Sequence, residues 1–332
     1  MTQTVVITGA SAGVGRAVAE AFGRRGAQVA LLARGQAGLQ AAAEEVRRLG
    51  GKPLVIEVDV ADADAVEDAA SLVEETFGPI DVWINNAMTA VLGEVKDTTA
   101  EEFRRVTEVT YLGTVHGTQA ALRRMLPRDR GHIILVGSAL ARRGIPLQAT
   151  YCGAKHAIQG FWESLRCELR HHDSNVELSI VQLPGLNSTQ FGWVRVHVPN
   201  QPQPVPPIYS PQLAARAIVW VTDHPGRREL WVGGATAMTI LGNRIAPWLA
   251  ELYLARTGFG SQQTDTPVAA DRKDYLESPL DASEDRGWEG PFTEQAHNRS
   301  PQVWASTHRG ALAALVCATG AAATLATAMA RR

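Results

Sequence analysis

Residues 4–22 read TVVITGASAGVGRAVAEAF, and the parsing of this stretch decides the fold. Its first five residues form a short β-branched run closed by glycine, the pattern of a strand. Its last residues place small and apolar side chains at helical spacing. Between the two stand Gly9, Gly13 and Gly15 in a T-G-x-x-x-G-x-G arrangement, one residue longer in its first interval than G-x-G-x-x-G. Glycines let such a turn take positive φ and let backbone approach a pyrophosphate. The helix that follows offers free N–H groups and the positive end of its dipole. A glycine-rich turn is often only a turn. Lying after a first strand and before an amphipathic helix, this one is expected to be a phosphate cradle, with Gly9, Ser11, Gly13, Val14 and Gly15 as its residues.

Outward from the cradle the same alternation continues for about 190 residues. Further strands are expected at Gln28–Leu32, Leu54–Asp59, Val82–Asn85, His132–Val136 and Val176–Leu183, with helix-length segments such as Gly15–Arg25, Gln36–Leu49 and Asp62–Phe77 between them. Strands apolar on both faces and separated by helices predict an α/β fold: a doubly wound parallel sheet, the Rossmann layout, covered by helices on both faces. A strand at Glu229–Val232 and a helix at Pro211–Thr222 return to that core. Residues 1–255 are read as one dinucleotide-binding and catalytic domain, and 186–211 as a proline-rich excursion on its substrate side. Residues 256–309 are read as a polar extension, wrapped on the surface or loosely ordered.

The end of the second strand bears on the cofactor. Sites that prefer NAD place Asp or Glu there for the ribose 2′-hydroxyl; here the chain has Ala33, then Arg34. A planar guanidinium suits a 2′-phosphate. NADP(H) is therefore favoured, with NAD(H) still open and a solvated loop residue as the plain alternative for Arg34.

Composition sets the outer limits. The chain has 332 residues, 45% hydrophobic and 20% charged, and a net charge of −2, which gives no global attraction to nucleic acid or to an anionic membrane. Cys152 and Cys167 lie 15 residues apart on one predicted helix, roughly 22 Å along its axis, too far to pair. With Cys317 as the third and no zinc-ligand spacing, neither a metal site nor a disulfide framework is expected. The amino terminus runs straight into the first strand and leaves no room for a signal peptide, so the expected location is cytoplasmic.

The candidate chemistry lies around residues 138–155. Ser138 closes the fifth strand, and Tyr151 and Lys155 stand one helical turn apart on the next helix. Tyr has an ordinary pKa near 10, and an adjacent ammonium is expected to lower it. Ser138 can then hold a substrate oxygen while Tyr151 moves the proton, and a nicotinamide supplies the hydride chemistry.

Together these residues make the sequence resemble the short-chain dehydrogenase/reductase family, single-domain type, over about residues 4–240. The resemblance rests on Thr8-Gly9, Gly13, Gly15, Asp59-Val60, Asn85-Asn86-Ala87, Ser138, Tyr151, Lys155, Pro184-Gly185 and Thr189. It implies that Asp59 and Val60 lie near the adenine, that Asn86 and Ala87 flank the cofactor, and that Lys155 also bonds the nicotinamide ribose. Pro184, Gly185 and Thr189 would pass the carboxamide. It also implies a homodimer or homotetramer packed through helices near 113–126 and 151–171. Two positions depart from the family pattern. Met88 stands where a glycine is usual, and Thr110 occupies the place of an Asn whose backbone holds a water in the proton relay.

Other residues weigh less. His116, His171 and His172 are expected to be packed or solvated, and Phe161 and Trp162 to be core or interface aromatics. Trp193 and Tyr209 either line the substrate pocket or pack within their loop. Residues 310–332 include a twenty-residue uncharged run, Ala311–Ala330, long enough to span a bilayer as a helix but thin in Leu, Ile, Phe and Val. Three placements stay open for it: membrane contact, packing on the body or a partner subunit, and disorder. The leading functional expectation is an NADP(H)-dependent oxidoreductase interconverting a carbonyl and an alcohol, on a moderately apolar small molecule. The alternatives are a catalytically weak dinucleotide-sensing or scaffold protein, and epimerisation or dehydration on the same cofactor.

Overall fold

The structure is a computed structural model and describes residues 2–310; the Ala-rich run and Cys317 lie outside the described residues. Seven parallel strands form the central sheet, interleaved with helices in chain order. They begin β1 Thr4–Thr8, α1 Gly13–Gly23, β2 Gln28–Ala33, α2 Gln36–Arg48, β3 Lys52–Glu57, α3 Ala63–Phe77 and β4 Val82–Asn85. After the short β5 (Val91–Leu92) come α4 Ala100–Val106, a π-helical segment at Thr107–Leu112, and α5 Gly113–Met125. Next are β6 His132–Ser138, α6 Ala149–His171, β7 Glu177–Leu183 and the one-turn α7 Gln190–Trp193. Two short strands follow, β8 Arg195–Val196 and β9 Asn200–Pro202, then α8 Pro211–Thr222 and β10 Glu229–Trp231. The last elements are α9 Gly234–Ile245, α10 Pro247–Thr257, β11 Gln263–Pro267 and α11 Pro301–Thr307.

The sheet order is β3-β2-β1-β4-β6-β7-β10, all parallel. Connections run one way from β1 through β2 to β3 and the other way from β4 onward. The switch point therefore lies between β1 and β4, where ligands bind in open α/β sheets. Alternating strand residues feed two cores. Val5, Ile7, Leu31, Phe22, Leu39 and Ile218 pack on the face covered by α1, α2 and α8. Val6, Leu32, Trp83, Ile133, Leu135 and Trp162 pack beneath α3, α5 and α6. Each such side chain contributes about 1.5–3 kcal/mol by leaving water. This two-sided burial is the physical content of the unbroken apolar strands.

Boundaries moved where edges or turns intervene. α1 starts at Gly13, two residues earlier than expected, and β6 continues to Ser138. β3 runs Lys52–Glu57 as a partly exposed edge strand, which frees Val58–Val60 for the groove below. The proline excursion holds no central strand: Asn200–Pro202 pairs antiparallel with Gln263–Pro267 in a separate two-stranded ribbon. That ribbon ties the excursion to the extension. The extension is not merely superficial, since it inserts Leu276 at zero exposure and buries Asp281 and Ser300.

His132 illustrates what burial costs at one strand end. Its ring nitrogen pairs with Ser179 Oγ at 2.8 Å, and burial pulls its pKa down to about 4 from the ordinary 6.5. Below pH 6.5 the unfolded chain takes up this proton and the folded chain does not until about pH 4. Stability present above pH 6.5 therefore declines through that window, by about 3 kcal/mol in all. His132→Gln is expected to flatten this acid limb, as thermal midpoints followed from pH 7 to 4.5 would register.

Candidate active site

The cradle forms as β1 ends. Gly9 lies at φ +68°, left-handed backbone that a side chain would strain. Gly15 is required by close approach: a Cβ there would lie 2.1 Å from the Gly9 carbonyl oxygen and 2.6 Å from Asn86 Nδ2. The turn is tied across the switch point. Asn86 Nδ2 donates to the carbonyls of Thr8 and Gly9 at 3.0 and 3.2 Å. Thr8 Oγ1 accepts the N–H groups of Asn86 and Ala87 at 2.9 and 3.0 Å. Asn85, by contrast, stays out of the groove: it accepts from Trp83 Nε1 and donates to Thr118 Oγ1, joining β4 to α5.

Gly9, Ser11, Gly13, Val14, Val60, Asn86, Ala87 and Thr189 line one groove of about 170 Å³. His116 Nδ1 sits 2.9 Å from the Val60 carbonyl, so this histidine positions the groove wall instead of facing it. The cradle that a Cβ would fill, the helix start behind it and the long groove fit a dinucleotide. Pro184 and Gly185 lie in the adjoining cavity of about 460 Å³, which Val14, Asn86 and Met88 share with the groove.

Ser138, Tyr151 and Lys155 meet on the wall of that larger cavity. Ser138 Oγ accepts the Leu140 N–H at 3.1 Å, capping the turn after β6. Lys155 is 3% exposed; its Nζ donates to the Val136 carbonyl at 2.7 Å and lies 5.6 Å from the Tyr151 ring centre. Burial lowers the Lys155 pKa to about 8. The expectation that this ammonium depresses the tyrosine is not met in the protein alone. Burial pushes the Tyr151 phenol well up, and the neighbouring Ser138 hydroxyl only partly offsets it. Thr110 is fully buried, its hydroxyl donating to the Thr89 carbonyl and accepting the Thr89 N–H, both at 3.0 Å. Its own carbonyl accepts from Thr114 Oγ1 at 2.9 Å. It sits in the π-helical segment, a local widening often found at functional sites.

The part of the groove beside the end of β2 holds what the sequence did not disclose. The Arg34 guanidinium donates to the carbonyls of Tyr275, Glu277 and Leu276 at 2.5, 2.8 and 3.4 Å. The N–H groups of Ala37 and Gly38, orphaned at the start of α2 because Gly35 has no capping side chain, donate to the carbonyls of Ala282 and Asp281. Gly13 N–H donates to Gly287 O at 3.2 Å. Buried Arg16 holds Glu45 and Asp285 together beneath. Asp59 lines the groove as expected, though its carboxylate is engaged by the Ala61 N–H and by Arg105. Burial pushes Asp59 up, but those partners outweigh it and hold its pKa below the ordinary value. Asp281 is 5% exposed, its Oδ2 without a partner, against Gly35 and Gly38.

Two aromatic assignments resolve here. Trp193 lines the smaller groove and packs on Tyr275 at 5.5 Å, while Tyr209 is core, beneath Gly233. Met88 stands between the two cavities, with the Tyr275 hydroxyl 3.8 Å from its sulfur. Among the described residues no group of three or more His, Cys, Asp or Glu stands together to hold a metal ion.

An open parallel sheet with a glycine cradle at its switch point and a Ser–Tyr–Lys cluster beside it is the arrangement of nucleotide-binding oxidoreductases. A model of the short chain dehydrogenase family matches residues 3–196, and the chain belongs to that family. The Bacillus subtilis uncharacterized oxidoreductase YxnA is 32% identical over 80% of this chain and 75% of its own. The bovine dehydrogenase/reductase SDR family member 7B is 36% identical over 56% of this chain and 58% of its own, so the chain spans little more than half of that relative. An alcohol dehydrogenase from the archaeon Thermococcus sibiricus, complexed with 5-hydroxy-NADP, superimposes with a TM-score of 0.62 at 26% identity, over 70% of this chain and 96% of that one. A metagenomic short-chain oxidoreductase in complex with NADP gives 0.59 at 26% identity, over 69% and 96%.

Proposed function

We propose that the protein interconverts a carbonyl and an alcohol on a moderately apolar small molecule, with NADP(H) as the preferred cofactor. The observation that carries this is the meeting of Ser138, Tyr151 and Lys155 at the cavity that adjoins the cradle. A bound nicotinamide dinucleotide would supply or accept the hydride. Gly9, Ser11, Gly13, Val14 and Gly15 would hold its pyrophosphate, Val60, Asn86 and Ala87 its adenosine side, and Lys155 its ribose. Ser138 donates to the substrate oxygen and fixes its distance from Tyr151. With its pKa raised by burial, Tyr151 keeps its proton at neutral pH and gives it to the oxygen as the carbonyl is reduced. Lys155, charged below about pH 8, then stabilises the phenolate left behind. Leu92, Leu186, Phe191 and Val205 make the cavity wall apolar.

The preference for NADP(H) draws support from Ala33 and Arg34 where β2 ends and from the 5-hydroxy-NADP and NADP of the two solved neighbours. A 2′-phosphate at Arg34 has to replace the carbonyls that the guanidinium now holds, next to the Asp281 carboxylate. Arg34→Ala is therefore expected to weaken NADPH about tenfold or more while sparing NADH, and Asp281→Asn to tighten NADPH severalfold. Titration against nicotinamide fluorescence measures both. If Asp281→Asn instead weakens NADH and leaves NADPH unchanged, the carboxylate accepts a ribose hydroxyl and the preference is NAD(H). Failure of both nucleotides to bind would remove the enzymatic reading altogether.

A further inference from the structure

Thirteen large apolar side chains are exposed among the described residues, and eight of them fall between residues 238 and 259. Met238, Ile245, Trp248 and Tyr253 are 72, 81, 61 and 65% exposed. α10 has no buried residue at all, so its Trp, Leu and Tyr side chains serve no core. Monomeric soluble proteins rarely leave such a contiguous apolar surface uncovered. Only Arg244, Glu251 and Arg256 carry charge between residues 234 and 260.

Two placements say what covers it. Met238 and Tyr253 belong to both the exposed surface and the lining of the 460 Å³ cavity, so α9 and α10 form the rim through which that cavity opens. A second protein seated on this rim would close the entrance, whereas a lipid phase would leave it open to apolar molecules dissolved there. The chain also leaves the described fold from this side: α11 packs on α9, with Trp304 half exposed, and leads into the uncharged stretch at 311–330. Trp and Tyr at the edge of an apolar surface suit the headgroup level of a bilayer.

We propose that α9 and α10 dock on the surface of a lipid bilayer, shallowly and without spanning it, and that the substrate cavity takes its lipophilic substrate from the acyl phase. Among the described residues no helix is long and apolar enough to cross a membrane, which fits insertion of one face into the interface. The partner is a lipid surface of low charge, because the rim is apolar with few charges of mixed sign. This rests on taking the larger cavity as the substrate site; the test below reads membrane binding directly and needs neither turnover nor cofactor.

The full 332-residue chain would be floated with neutral phosphatidylcholine vesicles, as wild type and with Ile245, Trp248 and Leu252 all changed to Glu. None of the three lines the cavity, and all are exposed, so the thermal midpoint and NADPH binding report whether the variant folds normally. Wild type is expected to float at low and high salt alike, and the variant to lose at least tenfold in bound fraction. Equal flotation of both chains would assign membrane contact to the 311–330 stretch alone and overturn the proposal. A wild type that stays in solution as a dimer, which the variant splits, would make the rim a self-association surface and overturn it equally. As a control on the chain itself, the single change Ile245→Glu should give an intermediate loss.

Discussion

Tyr151→Phe is expected to lower kcat for carbonyl reduction by about a thousandfold and to leave the NADPH dissociation constant where it was. Tyr151 lies on the cavity wall with Ser138, and desolvation keeps its phenol protonated. Of its neighbours, Ser138 is too weak an acid to replace it, and the Lys155 ammonium is turned toward the Val136 carbonyl. Phenylalanine keeps the ring, and with it the packing above Lys155. A variant that reduced carbonyls at the wild-type rate would remove Tyr151 from the chemistry. Loss of NADPH binding together with rate would instead mark the ring as part of the cofactor site.

Gly15→Ala is expected to abolish measurable binding of either dinucleotide, a loss of a hundredfold or more in affinity. The added methyl would meet the Gly9 carbonyl at 2.1 Å and the Asn86 amide at 2.6 Å. Both neighbours belong to the hydrogen-bonded clamp between β1 and β4, so neither can retreat cheaply. Overpacking of this kind costs about 1–3 kcal/mol, enough to displace the turn that the pyrophosphate requires. Isothermal titration and a thermal melt on the same sample separate the two consequences. A folded variant that bound NADPH normally would show that the cradle is not the phosphate site.

Much of the fold was legible because the central strands β1, β4 and β6 are buried on both faces and carry largely apolar runs. TVVIT and VWIN allow no other placement once helices separate them. The cluster at 138–155 was legible for a different reason: its members are close in sequence, one on a strand end and two on the adjoining helix. What stayed hidden is long-range. Arg34 looks free in sequence because its three carbonyl partners lie more than 240 positions later, and backbone carbonyls carry no side-chain signature. Asp281 sits in a polar stretch whose composition matches a loose tail, and only contact with Gly35 and Gly38 gives it a place. α10 carried a readable signal, a proline opening the helical segment PWLAELYLART. Its apolar side chains point to no core among the described residues, so the spacing alone gave no partner for them.

The carbonyls of the extension give the adenosine groove an unusual energetics. At Arg34, at Gly13 and at the head of α2, polar donors that an open groove would show to water already have partners from the same polypeptide. A dinucleotide binding there would trade one set of hydrogen bonds for another, so its enthalpy of association is expected to be small relative to the number of contacts it makes. Affinity then depends on how firmly residues 275–287 hold their place. Arg16 with Asp285, and Arg105 with Leu276, fasten that segment, so loosening either pair is expected to change the apparent dissociation constant. The chain beyond the sheet would thus tune cofactor affinity from outside the Ser138, Tyr151 and Lys155 cluster.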